Sequence, residues 1–149
     1  MQTDTRTETK RLLIIDDDAD TLEVLETFFK GEGMEVTVSD GREDVLRLIN
    51  ERNPHAVIMD YLLRGANGGE LCRQVKTSAK HAHIPVAIMS AYPRVLQSIG
   101  SFGCNLFIAK PFDLDILMSQ VKKLISDNDL DSLLMKRQAP YIKNKINAR

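Results

Sequence analysis

Asp16, Asp17 and Asp18 stand in a row near the start of the chain, Asp60 stands alone, Ser90 precedes Ala91, and Lys110 precedes Pro111 and Phe112. Carboxylates brought close together repel one another unless a cation joins them. A set of hard oxygen donors with few other protein ligands suits Mg²⁺. A phosphoryl group entering such a site shares its charge among the metal, a lysine and a hydroxyl, and phosphoryl transfer is catalysed mostly by positioning and charge stabilisation of that kind. A carboxylate can also be the nucleophile, which gives an aspartyl-phosphate.

These residues each follow a short apolar run. Five runs, Leu12–Ile15, Val36–Val38, Ala56–Met59, Val86–Met89 and Leu106–Ala109, are rich in Val, Ile and Leu and do not alternate with polar residues. Strands covered on both faces read this way. Helix-period stretches lie between them. Thr21–Lys30 sets Leu22, Leu25, Phe28 and Phe29 on one face and stops at Gly31, read as its C-cap. Asp40 with Glu43 reads as a capping box before Val45, Leu46 and Ile49. A third helix opens near Gly68 with Leu71 and Val75 a turn apart, a fourth lies around Arg94–Ser101, and the last starts at Asp113 and carries Leu114, Leu117, Val121 and Leu124–Ile125. Repeated strand–helix units predict an α/β fold: a five-stranded parallel sheet, doubly wound, in a flavodoxin-like (βα)5 three-layer sandwich. Ligands bind such sheets beyond the carboxyl ends of the strands, where the topology switches. All the residues named above fall there.

At 149 residues the chain fits one domain, and 43% hydrophobic with 28% charged residues supports an ordinary core. A net charge of −1 argues against a nucleic-acid or membrane partner held by bulk electrostatics. Cys72 and Cys104 have neither zinc-site spacing nor histidine company, and read as reduced, packed thiols in a reducing cytosol. Met1–Lys10 is polar, with no signal-peptide core, and no apolar run is long enough to span a bilayer. The expectation is a soluble, cytoplasmic protein with a flexible segment at 1–10, a domain at 11–126 and a short tail at 127–149. In that tail only Leu130, Leu133 and Leu134 suggest a further helical turn.

The pieces LLIIDDD, AVIMD, Asn67–Gly68 with GELCRQVK, VAIMSA and LFIAKPF, in this order and each after its own strand, resemble the response-regulator receiver family over roughly Arg11 to Ser126. The resemblance implies a signalling switch rather than an enzyme with a separate substrate. Asp60 would accept a phosphoryl group from a histidine kinase or a histidine phosphotransfer protein. Asp16 and Asp17, with Asp60 and the backbone carbonyl of Leu62, would hold Mg²⁺. Ser90 would contact the phosphoryl oxygens, Lys110 would pair with them, and Phe107 would be the rotamer-switching aromatic. The Lys110–Pro111 bond would be cis. Leu62 and Tyr92 would flank the route of the water that later removes the phosphate. Output would pass through protein contacts of the face formed by the fourth helix, fifth strand and fifth helix, with no DNA-binding domain in this chain, no membrane partner, and dimerisation left open.

The sequence departs from the family where Arg64 replaces a usual proline and Asn67 a usual acid, and the glycines at 65, 68 and 69 suggest a mobile loop. Asp18 and Asp20 read as helix-cap or first-turn charges, and His81 and His83 as surface residues of a polar loop. Two other functions compete. A haloacid-dehalogenase-type phosphatase also opens on Asp-x-Asp, met here by Asp16 and Asp18, but needs a further acidic pair after another strand. A receiver-like scaffold that is never phosphorylated would not need Asp60, Asp17, Ser90 and Lys110 together.

Overall fold

The computed structural model of the protein describes residues 8–92, 94 and 102–147. Five parallel strands form one sheet: β1 (Arg11–Ile15), β2 (Glu35–Ser39), β3 (Ala56–Asp60), β6 (Val86–Ser90) and β7 (Leu106–Ala109), in the order β2-β1-β3-β6-β7. The runs of β1, β3 and β6 are continuously apolar because alternate residues serve two cores, whereas the edge strand β2 keeps Thr37 between Val36 and Val38. Leu12, Ile14, Ala56, Ile58, Ala87 and Met89 face one side, with Leu25 and Phe29 of α1 (Ala19–Gly31) and Leu117, Val121 and Ile125 of α4 (Leu114–Asn147). Leu13, Ile15, Val57, Met59, Val86 and Ile88 face the other, with α2 (Val45–Arg52) and α3 (Gly68–Thr77). A strand period of two with both faces covered leaves no polar position inside the run. The predicted three-layer α/β sandwich is therefore the one observed.

Several local expectations change. The helix expected around Arg94–Ser101 lies, apart from Arg94, outside the described residues, as does the segment 1–7. Helix α1 includes Gly31, and the left-handed residue that turns the chain is Gly33, at φ +87°. Asp40 caps no helix: its Oδ1 accepts the Arg42 N–H at 3.0 Å, Gly41 at φ +89° diverts the chain, and Asp44 caps α2 by accepting from Leu46 N–H and Arg47 N–H. The loop after Asp60, expected to be mobile, instead closes into a small antiparallel hairpin of β4 (Leu62–Leu63) and β5 (Ala66–Asn67). His81 is buried, not a surface residue. Finally, α4 does not yield to a flexible tail after Ser126 but runs on to Asn147. Residues 126–138 contain neither Gly nor Pro and include many good helix formers. Lys10 Nζ also pairs with Asp129 at 3.1 Å, which ties the continuation to the start of β1.

The start of β1 carries a pH-sensitive bond. The Arg11 N–H donates to His55 Nδ1 at 3.0 Å, which requires a neutral imidazole. Burial first, then the charges of Arg11 and Lys10, hold His55 below the ordinary histidine range. A depressed histidine contributes stability that is present above the unfolded pKa and is lost as pH falls through the folded one. The native protein should therefore lose melting temperature between pH 7 and pH 5, and His55→Asn, whose side-chain oxygen can accept the same N–H, should show a smaller drop. Equal slopes in thermal melts of the two proteins would exclude this bond as the cause.

Candidate functional site

β1 and β3 are neighbours at the centre of the sheet, and the chain winds outward from them in opposite directions. A crevice opens at their carboxyl ends for that reason. Asp16 and Asp17 follow β1, Asp60 ends β3, and one carboxylate oxygen from each lies within 4.8 Å of the others. The Asp16 side chain is fully buried, while those of Asp60 and Asp17 are 13% and 27% exposed. Lys110, just past β7, sends Nζ into the cluster: it donates to Asp16 Oδ2 at 3.0 Å and lies 3.3 Å from Asp60 Oδ1. From the hairpin, Arg64 Nε lies 3.8 Å from Asp17 Oδ2.

Local chemistry aims these groups. Asp16 Oδ1 accepts the Asp18 N–H at 2.9 Å, and its own N–H donates to the Ser39 carbonyl at 3.1 Å, so the first acid is fixed at both ends. Asp18 is instead the N-cap of α1, accepting from Asp20 N–H and Thr21 Oγ1 at 3.1 and 2.8 Å, and Asp20 lies in the first turn as a dipole-compensating charge. Burial pushes the Asp60 carboxyl above its usual range and the charge of Asp16 pushes it further, against the opposing pull of Lys110. Burial alone would lower the Lys110 ammonium, but its hydrogen bond and charge pairing with Asp16, and then with Asp60, raise it instead. The lysine is thus charged, and the ionised form of Asp60 is disfavoured by its surroundings.

Gly68 sets the backbone behind Asp60. Its N–H donates to the Tyr61 carbonyl at 2.7 Å, and a Cβ at this position would lie 2.1 Å from the Asp60 carbonyl oxygen. Asn67 beside it caps α3, its Oδ1 accepting from Gly69 N–H at 2.8 Å and Glu70 N–H at 3.2 Å. Overpacking against backbone has no flexible group to yield. Gly68→Ala should therefore destabilise the protein by about 1–3 kcal/mol, readable in urea denaturation. A change under a few tenths would mean that the carbonyl shifts freely.

The other anticipated residues lie on neighbouring elements. Ser90 ends β6 and is buried; its carbonyl accepts the Lys110 N–H at 2.9 Å, and its Oγ accepts the Tyr92 N–H at 3.0 Å, which leaves the hydroxyl proton to donate elsewhere. Phe107 is half-buried in β7 opposite Ile88. Leu62 and Tyr92 are exposed, at 50% and 57%. The Lys110–Pro111 bond is cis. Cys72 and Cys104 form no disulfide, and burial raises Cys72 to about 11. Among the described residues, only Asp16, Asp17 and Asp60 group as ligands for a metal ion.

The response regulator receiver domain matches residues 12–122. The chain belongs to that family. As a receiver it is built as a phosphorylation-dependent signalling switch. It is 28% identical over 122 residues to the DNA-binding response regulator MtrA of Mycobacterium tuberculosis, a match covering 80% of this chain and 52% of that protein. The receiver thus spans about half the length of the curated relatives it matches. Among solved structures it resembles NtrX of Brucella abortus (TM-score 0.78, 25% identity, covering 87% of this chain and 29% of that one). It also resembles the response regulator TrrA of Thermotoga maritima in complex with Mg²⁺ and BeF (TM-score 0.71, 27% identity, covering 78% and 99%). The phosphatase alternative falls with the family match; Asp127, Asp129 and Asp131 moreover lie on α4 rather than after a strand. No helix among the described residues is long and apolar enough to cross a membrane.

Two participants in the receiver's site were poorly visible in the sequence. Arg64 stood out only as a missing proline, because its approach to Asp17 depends on a hairpin too short to show periodicity. Gly68 belongs to a visible motif, but the need for glycine there comes from a contact with Asp60, not from its own dihedrals.

Proposed function

We propose that this receiver accepts a phosphoryl group on Asp60 from a histidine kinase or histidine phosphotransfer protein, with Mg²⁺ held by Asp16, Asp17, Asp60 and the Leu62 carbonyl. The observation that carries the reading is the convergence of the three carboxylates and the Lys110 ammonium at one strand edge. Hard carboxylate oxygens grouped this closely fit a small divalent cation. When bound, Mg²⁺ supplies positive charge to the phosphoryl oxygens. The Asp60 carboxylate attacks phosphorus, the bond from phosphorus to the donor nitrogen breaks, and the donor histidine leaves. Lys110, already 3.3 Å from Asp60, balances the charge that arrives. The Ser90 hydroxyl holds a phosphoryl oxygen, and Phe107, half-buried, changes rotamer as Ser90 moves. A downstream protein reads the change, and the phosphoryl group leaves by slow hydrolysis.

The test is intact mass after incubation with Mg²⁺ and acetyl phosphate, which should show a single phosphoryl addition. Absence of any addition, with the protein folded, would favour the scaffold reading. Mg²⁺ alone should also stabilise the receiver, by roughly 1.4 kcal/mol at ten times its Kd and hence a few degrees in Tm. Asp17→Asn should lose most of that shift. Melting curves indifferent to millimolar Mg²⁺ would make the acidic cluster structural.

A further inference from the structure

The hairpin after Asp60 carries an inference that rests on the metal-binding reading of Asp16, Asp17 and Asp60. Leu62 pairs with Asn67 and Leu63 with Ala66, Leu63 is buried in the second core, and Gly68 packs against the Asp60 carbonyl. The tip, Arg64 and Gly65 (φ +73°), therefore stands on a root fixed at both ends. From it Arg64 Nε reaches within 3.8 Å of Asp17 Oδ2, while its side chain stays 77% exposed. Lys110 occupies Asp16 and Asp60. Each of the three carboxylates thus faces a cation, and three negative charges meet two positive ones.

We propose that Arg64 is a positioning residue with two opposed effects: it competes with the divalent cation for Asp17, and it draws the anionic phosphodonor to the mouth of the site. The competition follows from the contact. At 3.8 Å the guanidinium is an ion-pair partner rather than a well-made hydrogen-bond donor, so it lowers the negative potential at Asp17 and yields to a ligated ion. The attraction follows from exposure. Lys110 lies deeper, at 23% exposure, so a phosphorylated donor approaching a net-negative crevice meets Arg64 first.

The two effects have opposite signs in one variant, which a merely solvated arginine would not produce. In Arg64→Gln, calorimetric titration should show Mg²⁺ binding about two- to tenfold tighter than in the native receiver. At saturating Mg²⁺ and low ionic strength, phosphoryl incorporation from acetyl phosphate should be about two- to tenfold slower, with the gap closing as salt is added. Arg64→Lys should restore both in large part. Unchanged or weaker Mg²⁺ binding in Arg64→Gln, while the native receiver binds Mg²⁺ normally, overturns the competition. Equal incorporation rates at low salt overturn the attraction. A native receiver that binds no Mg²⁺ at all brings down the metal-site reading itself, and this inference with it.

Discussion

Replacing Asp60 by alanine should abolish phosphoryl incorporation and leave the metal-free protein more heat-stable than the native one. The two effects share a cause. Asp60 is mostly buried at the end of β3, beside Asp16, and both burial and that neighbouring charge raise its pKa despite Lys110. A carboxyl whose folded pKa lies above its unfolded value opposes folding once it is ionised: the penalty is absent at low pH and develops as pH rises through the folded pKa. Alanine removes that penalty. Lys110 keeps its 3.0 Å hydrogen bond to Asp16 Oδ2, so the substitution leaves no buried ammonium stranded. The gain in Tm over the native protein should therefore be larger at pH 7 than near pH 4. Intact mass should show no addition with acetyl phosphate and Mg²⁺. Undiminished incorporation in Asp60→Ala would place the acceptor elsewhere. A variant less stable than native at pH 7 would mean that the carboxylate is a net structural asset.

The second large effect concerns how long the phosphorylated state lasts. We expect slow spontaneous hydrolysis, so that removal of the signal depends on a partner phosphatase or on reverse transfer. Leu62 sits on the short ladder with Asn67, and the backbone N–H of Tyr92 is held by Ser90 Oγ at 3.0 Å. Both residues are exposed at the rim, and neither has a carboxylate or amide to orient a water in line with phosphorus. Positioning of that kind is worth about tenfold to a thousandfold in rate, roughly 1–4 kcal/mol of barrier. A Leu62→Asn, Tyr92→Glu double variant, saturated with Mg²⁺, should lose phosphate faster by a factor in that range. Loss from the native receiver within seconds, or no acceleration in the double variant, would show that these positions do not control access of water.

The sheet and most of the site were legible in the sequence because both depend on local pattern. A run such as VAIM, Val86–Met89, has nowhere to place a polar side chain when each face of β6 is covered, and the topology then delivers the next residue, Ser90, to the functional edge. What escaped depends on contacts between distant segments. Asp40 and Glu43 satisfy the capping-box pattern, yet Gly41 turns the chain and Asp44 does the capping. The hairpin from Leu62 to Asn67 is two residues wide and exists because Leu63 finds the second core and Gly68 fits against Asp60. His81 sits in a polar stretch, and nothing in its neighbours announces its burial. Pro140 and scattered charges suggested a loose end after Ser126, but residues 126–138 offer the helix no reason to stop.

The part of α4 beyond the core gives the molecule a lever. Its last fully packed side chain in the first core is Ile125, and the helix runs on without Gly or Pro to Gln138, a distance of about 20 Å at 1.5 Å per residue, before Pro140. A tilt of about 5° about the buried end, a shift of only a few tenths of an ångström among the side chains around Val121, would carry the far end through roughly 2 Å over a span of that length. Repacking too slight to alter the sheet would thus become, at the other end of this arm, a displacement the size of an atom, large enough for a neighbouring surface to register.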